Sequence, residues 1–169
     1  MKSHPKIAAL LPLAAMFFAT AFAVTNASAK DIHIKGPMEA TEDHVVTPPN
    51  MVTQLQGVGH ARAIGRYALT IEATIYLPTR TGLGGTFEID TGCGQTFYGT
   101  EIGGGVPTQF PNQVSITETL TITGGTGRFE GATGTLMIHR LIDQATLVSS
   151  GTIEGTLTLP DRHRCGGRR

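Results

Sequence analysis

From Arg66 to Leu77 the chain alternates without a break. Tyr67, Leu69, Ile71, Ala73, Ile75 and Leu77 fall on one side, and Ala68, Thr70, Glu72, Thr74 and Tyr76 on the other. A period of two sends successive side chains to opposite faces, so the run fits a strand with one apolar face and one more polar face. Pro78 ends it, because proline has no N–H to offer a central ladder.

The rest of the chain repeats this texture in shorter pieces. Gly85 to Asp90 puts Phe87 and Ile89 on one face, and the turn Thr91-Gly92-Cys93-Gly94 leads to a strand from Thr96 to Ile102. Gly103-Gly104-Gly105 and residues 107–112 read as a longer connection. Val114, Ile116, Leu120 and Ile122 then alternate with Ser115, Thr117, Thr119 and Thr121. Beyond Gly124-Gly125-Thr126-Gly127 come a strand through Leu136, Ile138 and Ile142 and a last one from Thr152 to Leu159. With Gln54 to Ile64 this makes about seven or eight strands, and threonine-rich outer faces favour sheet over helix. The fold class is all-β, a single antiparallel barrel of about eight strands or a sandwich. Closing a barrel removes the unpaired edges of a small open sheet, and frequent glycines let strands bend enough to close. Residues 30–50 are polar, end in Pro48-Pro49, and read as an irregular segment or one short edge strand. The barrel domain is placed at 51–160.

The first 29 residues have another character. A basic start (Lys2, Lys6), an apolar run from Ile7 to about Val24 and the small-x-small site Ala27-Ser28-Ala29 make a cleaved secretory signal peptide. An uncleaved anchor is the competing reading, but Pro12 breaks the apolar run and no later segment nears the roughly 20 apolar residues of a spanning helix. The mature chain is therefore expected outside the cytoplasm, periplasmic or secreted, with no stable membrane span. Removing residues 1–29 takes Lys2 and Lys6 and no acid from thirteen of each sign, leaving a net charge of −2. That balance excludes a dedicated nucleic-acid binder, which needs a dense basic face. Arg162, Arg164, Arg168 and Arg169 form a basic tail at 161–169, read as solvated, with weak attraction to an anionic surface as the functional reading. Cys93 and Cys165 survive cleavage, and in an exported protein they invite a disulfide. It would close a loop of about 70 residues, with a loop-entropy contribution of at most about 4 kcal/mol. His163-Arg164-Cys165 has no zinc spacing and no second ligand pair, so no metal and no cofactor are expected.

Two segments carry a resemblance. Gly57-Val58-Gly59-His60-Ala61-Arg62-Ala63-Ile64-Gly65-Arg66 and Gly124-Gly125-Thr126-Gly127-Arg128-Phe129-Glu130-Gly131-Ala132-Thr133-Gly134 resemble motifs of a group of small exported bacterial proteins. The second is also similar to the GG-x-G-x-F-x-G-A-x-G hairpin of allene oxide cyclase and, more distantly, of plant dirigent proteins. The likeness covers roughly Gln54 to Leu159. It implies an eight-stranded antiparallel calycin-type barrel with a central cavity, an apolar small molecule as partner, and a homo-oligomer. The motif itself is structural: its glycines permit positive φ and its phenylalanine can cover a barrel mouth. The plant enzymes' active-site residues do not map onto this chain, so no activity is carried across.

Two charges break the apolar phase. Glu118 shares a face with Val114, Ile116, Leu120 and Ile122, and Arg140 with Leu136, Ile138 and Ile142. Facing a lumen, an unpaired carboxylate would have a raised pKa and suit proton transfer or ligand orientation. If Gly124 to Gly127 form the loop, Thr123 faces Arg128 and Glu118 falls opposite Thr133. Arg140 is then about seven residues farther along, more than about 20 Å away at the strand rise, and the two charges stand at opposite ends of the barrel. Tyr67 and Phe87, on the apolar faces of their strands, complete the lumen candidates. His60 and His139 read as structural, Ser149-Ser150 has no nucleophile turn, and no glycine run has a P-loop ending. No coherent catalytic set emerges. The favoured reading is a non-catalytic binder of an apolar small molecule. The alternatives are a structural or interaction protein and a cofactor-independent cyclase or isomerase, whose shaped cavity needs few ionised groups.

Overall fold

Alternation of this kind, carried through enough strands, must end either in exposed edges or in closure, and here it ends in closure. The structure is a computed structural model that describes residues 29–161. Its strands are β1 (Lys30–Thr47), β2 (Asn50–Ala61), β3 (Gly65–Tyr76), β4 (Thr81–Asp90), β5 (Thr96–Pro107), β6 (Gln113–Gly125), β7 (Thr133–Asp143) and β8 (Val148–Leu159). Each pairs antiparallel with its chain neighbours, and β1 pairs with β8 from Lys30↔Leu159 to Thr41↔Val148, closing the barrel. No α-helix occurs among the described residues, and none is long and apolar enough to cross a membrane. The signal peptide expected at 1–29 lies outside the described residues apart from Ala29. So do Cys165, and with it the expected disulfide, and the arginines of the basic tail. Cys93 is exposed, in the β4–β5 turn at φ 56.

Three expectations are corrected. Residues 30–50 are not an irregular segment: β1 is the longest strand and the one that closes the barrel, so the barrel begins at 30 rather than 51. Its inward residues include Gly36, Ala40, Glu42 and His44, which mask the apolar phase carried by Ile34 and Met38. At Gly36 no larger residue fits: a Cβ there would run into the His60 carbonyl oxygen. Gly103 to Gly105 are not a connection either. They lie within β5, paired with β6 as far as Pro107↔Val114.

The third correction concerns the β6–β7 connection. Thr123 does not face Arg128. The ladder begins at Ile122↔Gly134, and between these residues the chain makes a 3₁₀ turn, Gly127–Phe129. The turn folds Phe129 under the barrel, where it is 1% exposed and packs edge-on against Phe97, with centroids 5.0 Å apart. Arg128 lies over the outer side of its ring, 4.6 Å from the centroid, and donates to the Ile64 carbonyl. Gly127, at φ 57, and Gly131, at φ 72, supply the left-handed backbone this turn needs.

The core fills one half of the barrel. Ile34, Leu69, Ile89, Phe97, Leu136 and Leu157 are each at most 1% exposed, and with Phe129 they plug the end where β2–β3, β4–β5 and β6–β7 turn. An eight-stranded barrel is just wide enough for side chains to fill it or for one small ligand to sit inside. In the other half the filling stops.

Candidate functional site

The open half is a cavity of about 300 Å³ at the end formed by the β1–β2, β3–β4, β5–β6 and β7–β8 turns. Small inward residues create it. Gly103 and Gly105 on β5, Gly82 at the start of β4 and Ala73 on β3 line space that larger side chains would occupy. A Cβ on Gly103 would come within 2.7 Å of Glu118 Cγ and 2.9 Å of Glu101 Oε1. The bare backbone there lets those two carboxyl side chains stand side by side.

The wall is divided by chemistry. On β2 and β3 it is mostly apolar, with Met51, Leu55, Ile71 and Ile75 around the single buried hydroxyl of Thr53. On β5, β6, β7 and β1 it carries Glu101, Glu118, Arg140 and Glu42, each no more than 6% exposed. Arg140 is the hub. Its Nε and Nη2 donate to Glu118 Oε2 and Oε1 at 3.0 and 2.7 Å, a two-pronged pair, while Nη1 donates to Glu42 Oε1 and, at 3.3 Å, to Ser149 Oγ. Glu42 Oε2 pairs in turn with His44 Nε2 at 2.8 Å. A guanidinium matches this fork-on-carboxylate geometry where an ammonium could not.

The expected separation of Glu118 and Arg140 is therefore overturned. The 3₁₀ turn takes up residues that were counted into the strands, so Glu118 falls opposite Ile138 and Arg140 opposite Ile116. Glu118 and Arg140 become diagonal neighbours on one face, within reach of long side chains. Arg140 also needs room across the β7–β8 ladder, and Gly151 opposite it gives that room: a Cβ there would sit 2.6 Å from Arg140 Cβ.

Glu101 differs from the other carboxyls. It is 4% exposed, and its Oε2 has no hydrogen-bond partner. Burial, reinforced by the nearby Glu118 charge and opposed by Arg140, pushes its pKa up to about 7. Near neutral pH it exchanges between a neutral acid and a buried carboxylate. Neither Glu101 nor Glu42 was singled out by sequence. Glu101 was legible, since it alternates in phase with Phe97, Gly99 and Gly103. Glu42 was hidden in a segment not recognised as a full strand.

Tyr67 and Phe87 point inward but lie outside the lining of this cavity. Tyr67, 4% exposed, sits in the packed half. Its hydroxyl donates to the Pro37 carbonyl at 3.4 Å, and burial pushes its pKa up to about 12. Phe87 is 3% exposed, opposite Ile71 and Gly99. Among the described residues no group of three or more His, Cys, Asp or Glu is placed to hold a metal ion.

Comparisons of the chain with family models, with curated proteins and with solved structures find no match.

Proposed function

We propose that this protein is an exported barrel that binds a small, largely apolar molecule in its lumen. The observation that carries the reading is the cavity itself. It holds about 300 Å³, has one apolar wall, and lies in a barrel whose other half is densely packed. Ligand sites have this form, concave and mostly apolar with a few converging polar groups. A barrel serving only as a structural or interaction module has no need of inward glycines along one strand, nor of four charged groups held out of water. Export is supported by the N-terminal pattern, whose cleavage site ends at Ala29, one residue before β1 begins.

The test is native mass spectrometry on the protein expressed as its full chain and recovered from the exported fraction, followed by calorimetric titration with 1-octanol. The expected result is a mass beginning at Lys30, a co-purifying species lost on denaturation, and saturable octanol binding. A clean apo mass together with no octanol binding would sink the reading and leave the structural one.

One observation favours the cyclase or isomerase reading as second. Glu101, with a pKa of about 7 inside the cavity, could hold or take a proton at neutral pH, as a general acid–base requires. A chemically altered product released by the wild type but not by Glu101→Gln would carry it.

A further inference from the structure

The charges around the cavity do not balance, and the imbalance selects among apolar ligands. Three carboxyl side chains line it at no more than 6% exposure, Glu42 on β1, Glu101 on β5 and Glu118 on β6, against one buried guanidinium, Arg140 on β7. Four of the five Arg140 N–H donors are taken, Nε and one of Nη2 by Glu118 and both of Nη1 by Glu42 and Ser149. Its single positive charge is already shared between the Glu42 and Glu118 carboxylates, so it has little attraction left for a ligand's anionic group. Two lining atoms lack a hydrogen-bond partner, the neutral Thr53 Oγ1 on β2 and, among the charged groups, Glu101 Oε2, which is buried against the cavity without a donor. The remaining titratable groups on the lining are His44, paired with Glu42, and the exposed Arg80 of the β3–β4 turn at the rim. The cavity linings from β2 and β4 (Met51, Thr53, Leu55, Gly82) carry no titratable group.

We infer that the lumen selects an apolar amine, its ammonium donating to Glu101 beside the Glu118–Arg140–Glu42 cluster and its hydrocarbon lying on the Met51–Leu55–Ile71–Ile75 wall. This rests on the lumen-binding reading and narrows it. An alkylammonium supplies the donor that Glu101 Oε2 lacks and offsets the excess negative charge. A carboxylate would meet three acids and no free cation at depth. A cavity of this volume holds on the order of ten non-hydrogen atoms, at the roughly 30 Å³ share of a water molecule, which suits a chain of about eight carbons with its head group.

Binding should follow the state of Glu101. Alkylammonium stays protonated through neutral pH, as the lysine side chain does. Glu101, with its pKa near 7, must give up its proton to receive the cation. Affinity for the amine should therefore fall about tenfold per pH unit below 7 and level off above it, as expected for a single linked proton.

Calorimetric titration of the full-chain protein with octylamine, 1-octanol and octanoate tests this. Octylamine at pH 8 is expected to bind about tenfold or more tighter than octanol, as hydrogen bonds to a charged group imply, with octanoate weakest. Glu101→Gln keeps the shape and removes the charge. It should lower octylamine affinity about tenfold and abolish its pH dependence. Equal affinity for amine and alcohol, or tighter binding of octanoate, would overturn the amine assignment while leaving the lumen reading standing. Failure of all three to bind would overturn both. A cooperative urea-unfolding transition of Glu101→Gln shows that the variant is folded, so a lost amine preference cannot be ascribed to unfolding.

Discussion

At the scale of single residues, the cavity is held by charges that would each be costly alone. Arg140 bridges Glu42 and Glu118 in a space where all three are nearly sealed from water. Removing one member of a buried pair strands the others, so Arg140→Met should cost about 3–5 kcal/mol at pH 7 in urea unfolding. A loss under about 1 kcal/mol would mean that water in the cavity solvates the two carboxylates. Glu101 acts in the opposite sense. Its folded pKa of about 7 lies above the ordinary 4.5, so the folded state holds its proton more tightly than the unfolded chain does. Its contribution is fully present below about pH 4.5 and is lost as pH rises to 7, a change of about 3 kcal/mol. Glu101→Gln should therefore gain stability over the wild type as pH rises from 5 to 8, and the two should converge near pH 4.5. Parallel stability–pH curves would show that Glu101 is solvated. Phase alone marked Glu118 and Arg140 as inward, because each interrupts an apolar face. Their partnership was not legible, because it depends on how many residues the β6–β7 connection consumes.

At the scale of elements, that connection is the instructive case. Gly124-Gly125-Thr126-Gly127 has the composition of a tight hairpin turn, and a tight turn would have put Glu118 opposite Thr133. Instead the chain continues through Phe129 and Ala132, both buried, before pairing resumes. A buried aromatic inside a connection is a packing event, and periodicity carries no record of it. What did carry over is the expectation that a phenylalanine of this motif can cover a barrel mouth, and Phe129 lies beneath the closed end. Truncating it should act like any large-to-small core change, so Phe129→Ala is expected to cost about 3–5 kcal/mol in urea unfolding. The cavity lies in the other half, so octanol affinity measured well below the unfolding transition should be unchanged. A parallel loss of binding would mean that the two halves of the barrel are mechanically coupled. β1 was obscured for a different reason. A strand whose inward positions include glycine, alanine, glutamate and histidine shows little alternation in hydropathy, although its backbone is as regular as that of β3.

At the scale of the whole molecule, the cavity and the closure depend on the same strand. β1 pairs with β2 over ten positions and with β8 over twelve, and it brings Glu42 and His44 to the lumen. Without it, β2 and β8 would become long unpaired edges with nothing to blunt them, templates for pairing with other chains. The packed half would lose Ile34 and Met38, each at most 2% exposed, and Arg140 would lose one of its two carboxylates. A chain begun at residue 51 keeps the seven strands most legible from sequence, so it separates two views of the fold: a sheet that β1 merely decorates, or a barrel that exists only when β1 closes it. The second view predicts that this shortened chain shows no cooperative thermal transition and associates in a concentration-dependent way by analytical ultracentrifugation. Adding a peptide spanning 30–47 should suppress the concentration-dependent association and restore the transition, because the missing strand would pair into the gap between β2 and β8. A monodisperse shortened chain with a sharp transition of its own would refute closure as the source of stability.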